Sequence, residues 1–283
     1  MEKVFLLGAT GPIGQEFARR LQEHLSFEQG YPDLDWRSAS SGNKKDILGN
    51  CTAVISAVPR MYALEIVKEI EGIRADIAIY DCSGMHRGKE GWEYALPELN
   101  PGIKPGTNRF VGPGCFATAA SLALSPIKGE IKGPIFIEAI GGASTGGKKW
   151  VTYFDDNPAQ DICVPNAGLN HPHIAEIKAN LNLPEEAQIR MVPHLARRYR
   201  GTSMAIHGSL NASEDIEYGK RVAPWERVVD CEEVPKWNDV VNTDNVHVHW
   251  VQQGPQFTIH VAYDNLGKGS VGQALQSLGI SLL

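Results

Sequence analysis

The feature that most constrains the fold of this chain is a glycine-rich turn between a short apolar strand and a helix at its start. In "KVFLLGATGPIGQEFARRLQEH" an apolar run precedes Gly8, Gly11 and Gly14, and apolar residues then recur at helical spacing. Strand and helix patterns go on alternating through "DLDWRSAS", "CTAVISAV", "MYALEIVKEIEG", "ADIAIYDCSG" and "NRFVGPG". This alternation predicts an α/β domain built on a parallel, doubly wound sheet.

The pattern changes near Cys115, where longer strands are predicted. These are "GPIFIEAIGGAS" and the pair in "HVHWVQQGPQFTIHVAYDN", which "QQGPQ" joins as a hairpin. Helices are predicted in "HPHIAEIKANLN" and "PWERVVDCEEV", and an apolar helix closes the chain. The second half is therefore expected to be an α+β domain with an antiparallel sheet and helices on one face.

Composition excludes several classes of protein. The 283 residues carry a net charge of -6 and no long basic block, which argues against nucleic-acid binding. No apolar run approaches the length of a membrane span, and "MEKVFLLGAT" does not resemble a signal peptide. The five cysteines are odd in number and widely spaced, without a CxxC pair, so neither a disulfide framework nor a structural zinc site is predicted. We expect a cytoplasmic protein.

The first turn has the context of a dinucleotide site. Glycines let the backbone approach a pyrophosphate, and the helix N-terminus offers free N–H groups to anionic oxygens, as in Rossmann-type domains. A tight turn without a ligand is the alternative. After the second predicted strand come Arg37 and Ser38, with Lys44 and Lys45 nearby, which favours the 2′-phosphate of NADP over the ribose of NAD. A solvated basic loop is the other interpretation. The candidate cofactor contacts in the turn are Gly8, Thr10, Gly11, Pro12, Ile13 and Gly14.

A second candidate site is "VGPGCFATAASLAL", which predicts a helix with Cys115 in its first turn. The helix dipole and nearby N–H groups would lower the pKa of such a thiol, and the same amides could hold an oxyanion. Packing is the ordinary alternative for a cysteine, and we assign it to the other four.

Histidines could supply the base that a thiolate mechanism needs. His171 and His173 begin the predicted helix in "NHPHIAEI", and His194 lies in "VPHLARRYRG". His247 and His249 alternate along a strand and could share a metal, but no third ligand is evident, so no metal site is expected.

These stretches, taken in order, resemble the N-acetyl-gamma-glutamyl-phosphate reductases and their relatives that act on carrier-protein-linked substrates, within the aspartate-semialdehyde dehydrogenase group. The similarity extends over nearly the whole chain. It is carried by "LLGATGPIG", "YDCSGMHR", "GPGCFATAASLAL", "GGASTGGKK", "HPHIAEI", "VPHLARRYRG" and "DNLGKGSVGQALQ". The resemblance implies a nucleotide domain of residues 1–114 and 266–283, closed by a returning helix. It implies a catalytic and dimerisation domain of residues 115–265.

The resemblance also implies an activity, the reduction of an acyl phosphate by NADPH. Cys115 would form a thioester and His173 would be the acid/base, with Ser83 and Asn265 near the cofactor. The residues implied to bind substrate are Arg87, Ser144, Lys148 (or Lys149), His194 and Arg200. A homodimer or homotetramer is implied.

Departures from the family pattern bear on the substrate. Gly112 stands where the family has Asn, Phe116 where it has Tyr, and Ala117 where it has Pro, while "ARRYRG" is unusually basic. An unusual acyl phosphate, including one on an acidic carrier protein, is compatible with these changes. Two other functions stay open: aspartate-semialdehyde dehydrogenase activity and a non-catalytic NADP sensor. The paired histidines argue against the first, and Cys115 with His173 against the second.

Overall fold

The computed structural model describes residues 4–24, 41–100, 107–165, 170–211 and 214–279. The chain separates into two compact units. The first comprises residues 1–113 and 273–283, and the second residues 114–272. The functional division of the chain into a cofactor domain and a catalytic domain stays a prediction.

The first unit is built on a wholly parallel sheet, which confirms the predicted α/β class. Its strands lie in the order β1-β2-β3-β5-β4. The strands are β1 (Val4–Leu7), β2 (Ala53–Ser56), β3 (Ala78–Asp81), β4 (Glu93–Tyr94) and β5 (Arg109–Val111), and the helices are α1 (Pro12–His24), α2 (Ser41–Gly49) and α3 (Arg60–Ile73). Phe5 and Val54 of the sheet pack with Ile66 and Ile70 of α3. Burial of each such side chain stabilises the unit by about 1.5–3 kcal/mol.

One predicted strand of the first unit, in "DLDWRSAS" with Arg37 and Ser38, lies outside the described residues. The sequence that follows forms α2, which was not predicted. Lys44 of α2 pairs with Glu69 of α3 at 2.7 Å and is buried, so this lysine joins two helices rather than lying in a solvated loop.

The second unit contains a seven-stranded sheet in the order β10-β11-β12-β9-β6-β8-β7. Its strands are β6 (Ile131–Gly142), β7 (Ile162–Cys163), β8 (Ile189–Ala196), β9 (Thr202–Leu210), β10 (Val228–Asp230), β11 (Val246–Gln253) and β12 (Gln256–Tyr263). The helices are α4 (Cys115–Leu124), α5 (Lys148–Asp156), α6 (Pro172–Leu181), α7 (Tyr218–Val222) and α8 (Trp237–Val240). The α+β class is confirmed, as is the hairpin between β11 and β12, which turns at Gly254 with φ of +56°.

The sheet of the second unit is mixed rather than purely antiparallel. β6 pairs with β8, and β10 with β11, in parallel. The connection from β6 to β8 contains α5 and α6, and a long helical crossover is what permits parallel pairing.

The helix predicted in "PWERVVDCEEV" is wrong. Val228–Asp230 forms β10, which pairs with Val246–Val248 of β11. Pro224 disfavours a helix just before this run, and the β-branched pair Val228 and Val229 fits a strand once β11 is available.

The end of the described chain returns to the first unit. A π-helical turn at Gly267–Val271 leads into α9 (Gly272–Ser277). Gln273 of α9 donates to the Ala95 carbonyl at 2.8 Å, and Gln276 donates to Glu98 at 3.0 Å. Among the described residues, no helix is both long and apolar enough to cross a lipid bilayer.

Candidate active site

The three glycines of the turn after β1 differ in how much space an added side chain would have. Gly8 has φ of +81°, and a Cβ there would lie 2.5 Å from the Ala57 carbonyl oxygen. A Cβ on Gly14 would lie 2.1 Å from the Gly8 oxygen. Gly11 is open, since the nearest atom to a Cβ would be the Gly8 oxygen at 3.9 Å. Steric contacts within the described residues therefore require glycine at positions 8 and 14. At Gly11 no such contact requires glycine, and the backbone there is open to an approaching group.

A tight polar turn follows β3 in the same unit. Asp81 is fully buried; it accepts from the Ser83 backbone N–H at 2.8 Å and lies 2.8 Å from His86 Nδ1. The His86 ring stacks on Trp92, with centroids 3.8 Å apart. Arg87 donates to the Gly112 carbonyl at 2.9 Å. Ser83 and Arg87 are thus held in one turn, and their cofactor-binding and substrate-binding roles stay predictions.

The second unit places Cys115 at the first position of α4. Gly114 is the N-cap in an extended conformation, and its carbonyl accepts both the backbone N–H and the hydroxyl of Thr118. The rest of α4, Phe116–Leu124, is buried, whereas Cys115 is partly exposed. A partly exposed thiol at the positive end of a ten-residue helix is the arrangement expected of a nucleophilic cysteine, and that role stays a prediction.

His173 lies directly against the turn that carries Cys115. A Cβ added to Gly114 would fall 2.1 Å from His173 Nε2, so the imidazole occupies the space beside this glycine. His171 caps α6 by accepting from the His173 backbone N–H at 3.3 Å, and Pro172 starts the helix. Burial lowers the pKa of His171, which favours the neutral ring that this cap needs. His173 thus lies beside the Cys115 turn and His171 caps the helix, and the acid/base role of His173 stays a prediction.

A glutamate that the sequence analysis did not single out joins the same cluster. One Glu176 carboxylate oxygen accepts from the Gly114 backbone N–H at 2.9 Å. The other lies 4.0 Å from His173 Nε2. The i,i+3 spacing within α6 places Glu176 and His173 on one face of that helix.

Tyr263 and Gly269 complete the surroundings of the thiol. Tyr263 is fully buried at the end of β12. Burial, and after it the nearby Cys115 thiol, raises the pKa of the Tyr263 phenol well above its ordinary value, so the phenol is neutral. A Cβ on Gly269 would lie 3.2 Å from Cys115 Cβ, which shows how closely the π-helical turn approaches the thiol.

A second polar cluster brings together three of the predicted site residues. Asn265 accepts from the Gly201 N–H and donates to the Ser144 hydroxyl, both at 2.9 Å. Arg200 donates to the buried Asp264 carboxylate at 2.7 Å. The side-chain oxygen and the side-chain nitrogen of Asn265 thus both have partners within this unit. Its place beside a nicotinamide stays a prediction.

Known proteins of one family are similar to this chain over most of its length. The family model for the semialdehyde dehydrogenase dimerisation domain matches residues 115–265. The chain is 31% identical over 278 residues to the N-acetyl-gamma-glutamyl-phosphate reductase of Xanthomonas campestris pv. campestris (strain B100), covering 93% of this chain and 84% of that protein. The chain belongs to the semialdehyde dehydrogenase family. The enzyme of the same name from Stenotrophomonas maltophilia (strain R551-3) is 29% identical over 278 residues, covering 93% of this chain and 83% of that protein.

Solved structures show the same fold for this semialdehyde dehydrogenase family member. Aspartate semialdehyde dehydrogenase II of Vibrio cholerae, complexed with ASA, superposes with a TM-score of 0.78 at 14% identity, over 99% of this chain and 98% of that one. The aspartate semialdehyde dehydrogenase of Candida albicans, solved with NADP, gives a TM-score of 0.67 at 16% identity, over 99% and 100%.

The remaining predicted residues lie elsewhere in the family fold. Lys148 is exposed at the start of α5, after Gly147 with φ of +78°. His194 lies in β8, on the opposite sheet face from the buried Leu195. Their substrate-binding roles stay predictions. No cluster of metal-ligating side chains occurs among the described residues.

Because the His173 imidazole lies directly against Gly114, adding a methyl group at this glycine gives a testable prediction for this semialdehyde dehydrogenase. Gly114→Ala is compatible with the backbone, whose φ is -70°, but its Cβ would displace the imidazole. We expect turnover to fall on the order of tenfold to a hundredfold with an unchanged melting temperature, because a misplaced acid/base group is costly. Gly129→Ala, where no atom lies within 4 Å of an added Cβ, is the matched control. Unchanged turnover in Gly114→Ala would contradict the placement of His173.

Proposed function

We propose that this protein is an NADPH-dependent reductase that converts an acyl phosphate of the N-acetyl-gamma-glutamyl-phosphate type to a semialdehyde through a thioester on Cys115. The observation that carries the proposal is the juxtaposition of Cys115, at the N-terminus of α4, with His173 of α6 against Gly114. The names of the relatives supply the substrate class.

In this mechanism His173 takes the Cys115 thiol proton as the sulfur attacks the acyl carbon. The carbon–oxygen bond to phosphate breaks, and the proton passes from His173 to the departing phosphate. The N–H groups of the first turn of α4, which lie outside the helix's own hydrogen-bond pattern, would stabilise the negative charge that develops on the carbonyl oxygen. NADPH, when bound, supplies hydride to the thioester carbon. The carbon–sulfur bond then breaks, the aldehyde leaves, and the Cys115 thiolate regains a proton from solvent through His173.

The glycine turn of the first unit supports the cofactor assignment. Gly11 is not required by contacts within the described protein, but a side chain there would obstruct an approaching pyrophosphate. The N–H groups of the first turn of α1 are the donors expected to hold that group. The residues present therefore fit a dinucleotide.

Preference for NADP over NAD is expected to depend on Arg37. Charge-assisted contacts from this guanidinium to the 2′-phosphate should favour NADPH by on the order of tenfold or more. Arg37→Ala should weaken NADPH binding and leave NADH binding nearly unchanged. Titration of both cofactors against the two proteins measures this, with Arg60→Ala as the control. Equal affinity of the parent protein for both cofactors would contradict the prediction.

We propose a free acyl phosphate rather than a carrier-bound one. The basic run that suggested an acidic carrier protein is largely used within the second unit. Arg197 donates to the carbonyls of Phe154 and Gln160, Arg198 to Asn238, and Arg200 to Asp264. These contacts give the arginines a structural task without a partner protein. The cytoplasmic location stays a prediction.

The substrate is tested by running the reaction in reverse. Phosphate-dependent reduction of NADP is followed with N-acetylglutamate semialdehyde, the same group on a carrier protein, and aspartate semialdehyde. The proposal predicts the highest kcat/KM with the free N-acetylated substrate. A preference for aspartate semialdehyde would instead assign the alternative dehydrogenase activity, and absence of turnover with all three would contradict the proposed function.

We propose that the protein acts as a homodimer through the exposed face of the second sheet. Phe136, Val192 and Val251 are 42–44% exposed. Cross-strand pairs from Val251 through Thr258 and His207 place Val251 on the same face as Phe136. Val192 lies on this face through its pairing with Glu138, two residues after Phe136. Half-exposed apolar side chains therefore occur on several strands of one sheet face, in the region matched by a dimerisation-domain model.

The dimer prediction is tested by introducing charge on this face. Phe136→Glu should convert the dimer to a monomer in analytical ultracentrifugation, because an interface cannot bury an unpaired carboxylate without a large cost. Val234→Glu, at a 52% exposed position outside the sheet, is the matched control and should remain dimeric. A dimeric Phe136→Glu variant would place the interface elsewhere.

A further inference from the structure

We propose that the Tyr263 hydroxyl is a further catalytic group, which donates a hydrogen bond to the Cys115 sulfur whenever that sulfur carries a negative charge. The inference rests on the proposed function only for its effect on turnover. Its structural part concerns contacts within the second unit.

The fold brings the Tyr263 ring and the Cys115 side chain together. Tyr263 is the last residue of β12 and pairs with Thr202, the first residue of β9, and α4 packs against β12. A Cβ added to Gly269 would lie 3.0 Å from Tyr263 Cε2 and 3.2 Å from Cys115 Cβ. The phenol ring and the nucleophile therefore lie against the same glycine.

The Tyr263 hydroxyl is a buried donor without a regular partner. Tyr263 and Thr202 are fully buried, and among the described residues neither hydroxyl makes a hydrogen bond of ordinary geometry. Burial raises the pKa of the Tyr263 phenol most; after it the Cys115 thiol raises this pKa and the Thr202 hydroxyl lowers it, so both groups lie close to the phenol. Because an unpaired buried hydroxyl is costly, its place beside a thiol indicates a function.

An ionised sulfur would supply the missing acceptor. A thiol accepts hydrogen bonds weakly, whereas charge strengthens the bond that a thiolate accepts. The raised pKa of Tyr263 keeps the phenol proton in place at neutral pH, so Tyr263 donates a hydrogen bond without transferring the proton. Thr202 can donate to the phenol oxygen, which leaves the phenol proton for the sulfur of Cys115.

This role differs from that of His173. In the proposed mechanism His173 removes the thiol proton, and Tyr263 stabilises the thiolate that remains. The contact is lost when sulfur bonds to the acyl carbon and is restored when the carbon–sulfur bond breaks. Tyr263 would therefore favour both the ionisation of Cys115 and the departure of its sulfur from the aldehyde.

Other titratable groups surround this pair of side chains. His173 and Glu176 contact Gly114, Asp264 follows Tyr263, and Lys268 is buried in the π-helical turn. All four groups stay in place when Tyr263 is replaced by phenylalanine. A change in thiol ionisation in that variant therefore reports on the phenol hydroxyl.

The test removes one hydroxyl and keeps the aromatic ring. Tyr263→Phe is compared with Tyr218→Phe, because Tyr218 is also fully buried and donates to the Ala123 carbonyl at 2.7 Å, near the other end of α4. The Cys115 pKa is the midpoint of the pH dependence of its labelling by iodoacetamide, with the labelled peptide quantified by mass spectrometry. The midpoint is used rather than the rate at one pH, because a thiolate of higher pKa is also more nucleophilic.

We expect Tyr263→Phe to raise the pKa of Cys115 by about one unit, while Tyr218→Phe leaves it unchanged. Reductase turnover at neutral pH should fall by about tenfold in Tyr263→Phe. Its melting temperature should be unchanged or higher, because the lost hydroxyl had no regular partner, whereas Tyr218→Phe should melt at a lower temperature.

An unchanged labelling midpoint in Tyr263→Phe would overturn the inference, whatever the effect on turnover, and leave Tyr263 as a packing residue only. The labelling needs no substrate. A raised midpoint in a protein that reduces no acyl phosphate would therefore support the role of Tyr263 and contradict the proposed function alone.

Discussion

Replacing Cys115 by serine is expected to abolish acyl-phosphate reduction while leaving NADPH binding intact. A serine hydroxyl is far less ionised than a thiol at neutral pH, and only the sulfur can form the thioester that accepts hydride. NADPH consumption measures the first effect, and a fluorescence titration of NADPH measures the second. Cys163→Ser, at another partly exposed cysteine, should retain activity.

Thiol labelling gives the same prediction without substrate. Cys115 should react with iodoacetamide at neutral pH much faster than the other four cysteines, since it alone begins a long helix. Burial raises the pKa of Cys82, and burial together with Asp230 raises that of Cys231, so both should label slowly. Full activity of Cys115→Ser would exclude covalent catalysis at this residue.

Replacing His173 by asparagine should lower turnover on the order of a hundredfold to ten-thousandfold without unfolding the protein. His171→Asn is the matched variant. Asparagine is a favourable N-cap residue and can accept from the His173 backbone N–H in place of the imidazole, so this variant should keep most of its stability and its proton path. Turnover is measured per folded molecule, with folding followed by circular dichroism, so that a loss of catalysis is distinguished from a loss of folding. The opposite ranking of the variants would move the acid/base role away from His173, and His194 would be tested next.

The fold could be predicted where local pattern and pairing agree. The apolar strand, glycine turn and helix at Val4–His24 depend on contacts between sequence neighbours, and so does the hairpin at Gly254. β10 was mistaken for a helix because its strand conformation depends on β11, whose pairing a local pattern does not contain. The parallel pairing of β6 with β8 was missed for the same reason, since it depends on the whole crossover between them.

The residues of the candidate site also divide into those that a local sequence pattern predicts and those that depend on contacts between distant segments. Cys115 could be found because its position at a helix start is a local property, and His173 because the resemblance pointed to it. Glu176 is recognised only when α6 lies against the Gly114 turn. The Asp81–His86 pair differs from Glu176, because its two residues are only five positions apart in the sequence. An acidic residue at the end of a buried strand, with a histidine five residues later, is a pattern from which the pair could have been predicted.

Trapping the intermediate tests the central claim most directly. The protein is mixed with N-acetyl-gamma-glutamyl phosphate without NADPH, quenched in acid, digested and mapped by mass spectrometry. The proposed mechanism predicts an N-acetylglutamyl group on Cys115, with release of phosphate, and its disappearance as semialdehyde when NADPH is added. A protein that reduces the acyl phosphate while its Cys115 stays unmodified throughout would contradict the account.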